Sequence, residues 1–309
     1  MKLSGFTMVR NASKYYFPIK ESIESILPLV DEFIVALGNC DADDRTEELI
    51  RSIGSEKIRI FHREWDEKLF ADGTIFSLET TFALKQCTGD WCIYLQADEL
   101  IHEDDHPVII SDCKKYLEDA KVQGMLLSYM HFWGDYDHYI DSHSWYECEI
   151  RIVKNYIGVS SYKDAQSFRI DDIQKLNVVK TKARIFHYGW VRPPHIMQSK
   201  RKEQYSIHFG KKKAAETFQV QVPYYEYGPL GRLTKFKGTH PKVMCTLIAQ
   251  HSWKDKLDYG KKYKMSRPKA SHERIKYKAL SFIEKNILGR KKIFGYKNWN
   301  ILKGKEYQS

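Results

Sequence analysis

The first half of the chain alternates two hydrophobic periodicities. Residues 3–9 (LSGFTMV) form a short apolar run that reads as a strand. Residues 15–27 place Phe17, Ile19, Ile23, Ile26 and Leu27 at helical spacing, and Pro28 ends the pattern. EFIVAL, at 32–37, is the continuous apolar run of a buried parallel strand. The polar turn GNCDADDRT follows, then a helix over 46–53 and a strand over 57–62 (KIRIFH). Residues 76–85 read as a helix. Thr88, Gly89 and Asp90 then turn the chain into WCIYLQADE, a strand ending in acids at 91–99. A helix over 105–121, with Pro107 near its start, leads to an apolar strand at 124–133.

This order predicts an α/β fold: a Rossmann-like, mostly parallel sheet with helices on both faces. Ligands of such sheets bind at the carboxyl ends of the strands. The polar residues that follow the strands should therefore converge: Arg10 and Asn11 after the first, Asn39 to Asp44 after the second, Asp98 and Glu99 after the fourth. Beyond about residue 191 the pattern changes. Pro193 and Pro194 interrupt it, and Lys- and Arg-rich helical segments with many Tyr and Trp follow. The expected division is an α/β domain over 1–190 and a basic, largely helical region over 191–309.

With 42% hydrophobic and 29% charged residues, the chain belongs with globular proteins, not disordered ones. No apolar run is long enough to span a bilayer. MKLSGFTMVRNAS lacks an apolar signal core, which gives a cytoplasmic expectation. The six cysteines include no C-x-x-C pair and no zinc spacing with histidine, so they read as reduced thiols. Charge is unevenly distributed. Residues 200–309 carry 27 Lys and Arg against 8 Asp and Glu, whereas residues 1–199 carry 23 against 32. The acidic part suits a metal cation; the basic part suits phosphates, anionic lipid or an acidic glycan.

The strongest local signal is Asp90-Trp91-Cys92-Ile93-Tyr94-Leu95-Gln96-Ala97-Asp98-Glu99, an apolar strand that delivers two adjacent carboxylates. Such acids are hard-oxygen ligands for Mg²⁺ or Mn²⁺ when phosphate oxygens complete the shell; an acid pair at a loop is otherwise a common solvated surface feature. With its Gly89-Asp90-Trp91 turn, the segment resembles the D-x-D region of family 2 glycosyltransferases, which have the GT-A fold. The usual first Asp is Gln96 here, so the motif reads Q-A-D-E. The resemblance implies that Asp98 binds the metal directly. It leaves Gln96 for the ribose or a metal-bound water, and Glu99 to replace the lost carboxylate.

Three further stretches extend the likeness. Gly5 to Asn11 resembles the first strand and loop that hold the nucleotide base, which implicates Thr7, Arg10 and Asn11. The run from Asn39 to Thr46 resembles the acid-rich turn at the uracil or ribose, with Asn39, Asp41 and Asp43 as counterparts; Asp43 or Asp44 could equally cap the following helix. The segment WYECEIRIVKNYIGVSSYKDAQSF resembles the one that precedes the acceptor site and ends in a general base. Asp164 stands at that place, with Glu149 and Glu147 behind it; Asp164 is otherwise a turn residue. In Arg184-Ile185-Phe186-His187-Tyr188-Gly189-Trp190, His187 resembles a histidine that completes the metal shell, although a lone His on an apolar strand is more often a hydrogen-bonded core residue. Lys200, Arg201 and Lys202 could neutralise a departing diphosphate or line a solvated helix face. Phe236 to Pro241 is a compact turn with no chemistry of its own beyond lining a groove.

The resemblance implies a metal-dependent, inverting hexosyltransferase. Residues 1–190 would hold the nucleotide-sugar donor, a UDP-sugar, with Mn²⁺ or Mg²⁺. Residues 191–309 would complete the side that takes a glycan, or a lipid-linked or lipopolysaccharide-type acceptor, in peripheral contact with an anionic inner membrane face. Arg10-Asn11-Ala12-Ser13-Lys14 contains no glycine, which excludes a dinucleotide-binding oxidoreductase. The basic third carries no recognised nucleic-acid module, and the acidic front half would repel a phosphate chain. Two readings stay beside the main one: a non-catalytic binding protein of the same fold, and a sugar-phosphate nucleotidyltransferase, whose usual Gly-rich loop is missing.

Overall fold

The structure is a computed structural model that describes residues 1–155, 157–218, 222–293 and 297–302. Strands β1 (Leu3–Val9), β2 (Glu32–Gly38), β3 (Ile58–Arg63) and β4 (Trp91–Tyr94) alternate with helices α1 (Ile19–Ile26), α2 (Thr46–Arg51) and α3 (Thr74–Lys85). A strand-rich stretch follows: β5 (Glu99–Ile101), α4 (His106–Lys115), β6 (Gly124–Trp133), β7 (His138–Ile140), β8 (Cys148–Lys154), β9 (Val159–Tyr162), β10 (Ser167–Ile170), β11 (Gln174–Lys175) and β12 (Asn177–Trp190). The last third holds α5 (Pro194–Phe209), α6 (Lys211–Thr217), β13 (Thr234–Lys235), α7 (Cys245–Ala249), α8 (Ile275–Asn286) and β14 (Asn300–Ile301).

β3, β2, β1 and β4 are parallel neighbours, as the run of buried apolar strands leads one to expect. β8 is antiparallel to both β4 and β6, and β12 is parallel to β6. All the long strands except β8 therefore point the same way. Their carboxyl ends form one rim, and the first residues of β8 return to that rim, with Cys148 opposite Ser128. The rim carries Arg10, Asn39, Asp98, His131, Glu149 and His187. One hydrophobic cluster fills the α1 and α4 side of the sheet, around Ile23, Phe33, Trp91 and Ile109. A second fills the α3 side, around Phe6, Ala83, Tyr94 and Phe168.

Several boundaries differ from the sequence pattern. α1 starts only at Ile19, because Tyr16 takes a left-handed φ of 54° and Pro18 precedes the first turn. The apolar run WCIYLQADE is not one strand. Pairing with β1 ends at Tyr94, and Gln96 to Glu99 is a turn closed by the Glu99 N–H donating to the Gln96 carbonyl (3.0 Å). Glu99 then opens β5, antiparallel to β12 and opposite His187. The helix expected to run to residue 121 stops at Lys115.

The last third is less helical than its charge pattern suggests. Between Thr217 and Ile275 the described residues hold one five-residue helix and short 3₁₀ turns. Pro223, Pro229, Pro241 and Pro268 with Gly228, Gly231 and Gly238 interrupt any longer run. This stretch does not stand apart. β13 pairs with β7 and β14 with β12. Met244 and Trp253 pack with Phe132, Phe186 and Tyr188, while Tyr225, Tyr227 and Leu230 pack with Trp133 and Ile140. Among the described residues no helix is long and apolar enough to cross a membrane.

Candidate functional site

The turn after β4 sends its two acids in different directions. Glu99, as the first residue of β5, points into the protein and is fully buried. Its carboxylate accepts from Arg151 Nε (2.7 Å) and Nη2 (2.8 Å), from Tyr129 Oη (2.7 Å) and from the Gln96 N–H (3.2 Å). Arg151 is buried as well, so the two form a bidentate pair with each charge neutralised in place. Removing one partner of such a pair leaves the other charge uncompensated, a loss of about 3–5 kcal/mol. Glu99 thus couples β5 to β8, and its acceptor sites are already taken.

Asp98 faces the rim. It is almost fully buried, yet its carboxylate meets its neighbours only at a distance: His187 Nε2 at 3.8 Å from Oδ1 and Lys200 Nζ at 3.9 Å from Oδ2. Both separations exceed a hydrogen bond. Burial works to raise the Asp98 pKa, but His187, Lys200 and Arg192 beside it outweigh burial and hold the carboxyl below its ordinary range. Gly189 stands against this gap. A Cβ there would lie 2.5 Å from His187 Nε2 and 2.9 Å from Asp98 Oδ2, so any side chain would fill the space between them.

A chain of hydrogen bonds fixes the His187 tautomer. His131 Nε2 lies 2.8 Å from the Tyr146 carbonyl, which can only accept, so Nε2 carries the proton. Burial holds the His131 pKa well below the ordinary value, so the ring is neutral and its Nδ1 is an acceptor. His187 Nδ1 sits 2.9 Å from that atom and must donate to it. The His187 pKa is also lowered, first by burial. His187 Nε2 therefore turns a bare lone pair towards the Asp98 carboxylate. Two acceptors facing each other across 3.8 Å call for a cation.

Cations and unpaired donors border the same gap. Burial and the nearby Arg192 push the Lys200 pKa down to about 7, and its Nζ donates to the Gly189 carbonyl (2.8 Å). Arg192 is completely buried, and Nη1 donates to the Tyr15 carbonyl (2.6 Å). Arg192 Nε and Nη2 have no partner among the described residues. Buried guanidinium donors left unsatisfied by the protein are costly, and an anion would satisfy them.

α5 links this gap to the ends of β1 and β2. Lys200 and Glu203 are one helical turn apart, and Glu203 accepts from Arg10 Nη1 (2.9 Å). Arg10 Nε donates to the Asn39 carbonyl (3.0 Å), and Asp41 lies 3.4 Å from its Nη2. Asn11 adopts a left-handed φ of 54°; its Oδ1 accepts from the Asp41 N–H (2.8 Å), while its buried Nδ2 has no partner among the described residues. Trp65, whose N–H donates to Asn39 Oδ1, likewise has an unpartnered buried Nε1 among the described residues. Lys14 bridges Asp41 (2.8 Å) and Asp43 (3.1 Å). Asp44, one residue before the N-cap Arg45 of α2, accepts from the Thr46 N–H (2.9 Å). Asp43 is 73% exposed along its side chain. Thr7 is buried within β1 and its hydroxyl donates to the Met8 carbonyl. Gln96, half-buried, holds the turn through its backbone: its carbonyl accepts from Ser22 Oγ (3.2 Å) and its N–H donates to Glu99 (3.2 Å).

The two base candidates lie together. Glu149, near the start of β8, is buried and its Oε2 has no partner among the described residues. Burial pushes its pKa up to about 8; Arg151 opposes this, and the Glu99 and Asp164 charges reinforce it. Asp164 lies in a tight loop between left-handed Lys163 and Ala165, and Oδ1 accepts from Gln166 Nε2 (2.9 Å). Nearby, Tyr146 stands edge-on to Tyr129 at 4.9 Å, and the Tyr129 phenol donates to Glu99. Glu147, next to Tyr146, is exposed.

Among the described residues no three His, Cys, Asp or Glu side chains gather to hold a metal by themselves. Asp98 and His187 would supply two ligands to such an ion. Their 3.8 Å separation is within reach of one cation, since each ligand of Mg²⁺ sits about 2.1 Å away. The residues therefore fit a divalent ion whose other ligands come from a bound phosphate or water. Sequence reasoning missed His131, Arg192 and the Glu99–Arg151 pair. Of these only His131 left a trace, since it falls near the end of the long apolar strand β6.

No protein-family model matches the chain, and no curated protein matches it. Partial likenesses to solved structures exist. S. aureus TarS is 18% identical over 43% of this chain and 22% of that one, with a TM-score of 0.32. S. aureus TarS 1-349 in complex with UDP is 20% identical over 43% and 36%, with a TM-score of 0.30. Glucosyl-3-phosphoglycerate synthase from Mycobacterium tuberculosis, in complex with Mn²⁺, UDP and phosphoglyceric acid, is 20% identical over 42% and 43%, with a TM-score of 0.28. The match covers less than half of each of these proteins. Likenesses this distant do not indicate what the present chain binds.

Proposed function

We propose that the chain is a glycosyltransferase that moves a sugar from a nucleoside diphosphate donor, a UDP-sugar, to an acceptor hydroxyl with inversion. One observation carries the reading. A carboxylate and a histidine lone pair face each other beside a buried arginine with two unsatisfied donors, at the carboxyl rim of a parallel sheet. That arrangement suits a divalent cation bound together with a diphosphate. Asp98 and His187 hold the Mn²⁺ or Mg²⁺, which supplies charge neutralisation to the diphosphate when bound. Arg192 and Lys200 meet the phosphate oxygens and stabilise the negative charge that grows on the leaving group. Asn11 Nδ2 and Trp65 Nε1 offer donors to the base carbonyls, with Arg10, Asn39 and Asp41 framing that end.

Glu149 is the general base. Its free Oε2 takes the proton of the acceptor hydroxyl as that oxygen bonds to the anomeric carbon and the bond to the diphosphate oxygen breaks. Asp164 is the neighbouring charge that helps keep the Glu149 pKa high, so the carboxylate is a strong base once ionised. With Mn²⁺ and a UDP-sugar but no acceptor, the protein should release UDP slowly as water replaces the acceptor. No release from any UDP-sugar would favour the non-catalytic reading. Consumption of a nucleoside triphosphate with a sugar 1-phosphate would favour the nucleotidyltransferase.

In this reading the acceptor side lies against an anionic membrane. α8 exposes Ile275 (80%), Phe282 (62%) and, at its end, Ile287 (67%), flanked by Lys276, Lys278, Lys285, Arg290 and Lys291. Each cation near such a surface contributes about 1 kcal/mol, screened over roughly 8 Å at physiological salt. The protein should sediment with phosphatidylserine vesicles at low salt and dissociate as salt rises. Failure to sediment at low salt removes the membrane from the account.

A further inference from the structure

Beside the rim, outside the groups assigned above, lies a cavity of about 390 Å³ walled by aromatic rings. Trp133 and Trp190 stack at 4.4 Å, Trp145 stands edge-on to Trp133 at 6.0 Å, and Tyr225 closes the far side, 5.7 Å from Trp190. The cavity borders the Asp98 gap through two contacts. Trp190 follows Gly189, whose carbonyl holds Lys200. The Trp145 ring packs 4.8 Å from His131, which orients His187.

Its polar side chains are Arg201, Arg267, Lys269, Ser271 and His272. Arg267 lines it but is neutralised by Glu273 through two bonds of 2.8 and 2.9 Å. Arg201 also lines it, 4.9 Å over Tyr225 and 5.8 Å over Phe218, and it makes a long contact to Gln198 (3.5 Å). Among the described residues no carboxylate pairs with Arg201, so its guanidinium stands in the cavity wall against rings and an amide. His272 is buried in the same wall, and its Nδ1 has no partner among the described residues.

We propose that this cavity is the acceptor subsite and that it takes a saccharide carrying a phosphate or carboxylate. The apolar C–H face of a pyranose packs on Trp145 and Trp190, the anion meets the Arg201 fork, and a hydroxyl satisfies His272. The proposal rests on the glycosyltransferase reading, since that reading gives the adjacent rim its donor.

Saturation-transfer NMR on the full chain tests it with glucose 6-phosphate, glucuronate and glucose as probes. The wild type should bind at least one of the two anionic sugars roughly tenfold or more tightly than glucose, and the stronger of the two identifies the anion. Trp145→Ala should abolish binding, Trp145→Phe should keep most of it, and Arg201→Gln should remove the preference for charge. The proposal is overturned if none of the three sugars binds, or if Trp145→Ala and Arg201→Gln both bind as the wild type does. UDP binding with Mn²⁺, measured on the same samples, separates the two levels. Its persistence in Arg201→Gln supports a distinct acceptor subsite, whereas its absence from the wild type overturns the donor reading on which the subsite rests.

Discussion

Asp98→Asn should abolish metal-dependent nucleotide binding and reduce UDP release from the UDP-sugar by roughly a hundredfold or more, the scale of losing one preorganised charge at a reacting centre. The substitution removes the negative group that faces His187 across 3.8 Å and leaves Lys200 and Arg192 as buried cations without their counter-charge. Some loss of melting temperature is therefore expected as well. His187→Gln separates the two effects, because it removes the Nε2 lone pair without changing the charge. It should lose the Mn²⁺ response with a smaller loss of stability. Unchanged Mn²⁺-dependent UDP release in both variants would remove this pair from the site.

Glu149→Gln should cut turnover by roughly a hundred- to ten-thousandfold while leaving donor affinity intact, which is the range of a lost general base. Wild-type kcat/KM should rise with pH and level off above about 8, where Glu149 ionises, and the variant should lose that limb. Stability should move the opposite way. Between about 4.5 and about 8 the native protein holds a proton on Glu149 that the unfolded chain has released. The unfolded state binds fewer protons there, so stability falls as pH rises through this window. Glu149→Gln should flatten the fall and melt higher than the wild type at pH 8. A variant that keeps wild-type turnover and the same pH–stability slope would shift the base role to Asp164.

The parallel half of the fold was legible because β1, β2 and β4 are buried on both faces and therefore read as apolar runs; β1 and β6 match the pattern at both ends. The break between β4 and β5 was not legible. Residues 91–99 are apolar enough to pass for one strand, and what ends it is the pairing of Glu99 with His187 on β12, 88 positions along the chain. The same applies to the acid pair. Adjacent in sequence, Asp98 and Glu99 look equivalent, but Arg151 claims one of them and leaves the other at the rim. Arg192 gave no sequence signal, because an arginine after two apolar residues looks solvated until Tyr15 and Phe17 close over it.

Isothermal calorimetry of the wild-type protein with UDP, run once with Mn²⁺ and once with EDTA, tests the central claim most directly. The arrangement of Asp98, His187, Arg192 and Lys200 predicts saturable binding with Mn²⁺ that is lost or greatly weakened in EDTA. No binding of UDP under either condition, or equal affinity in both, would contradict it.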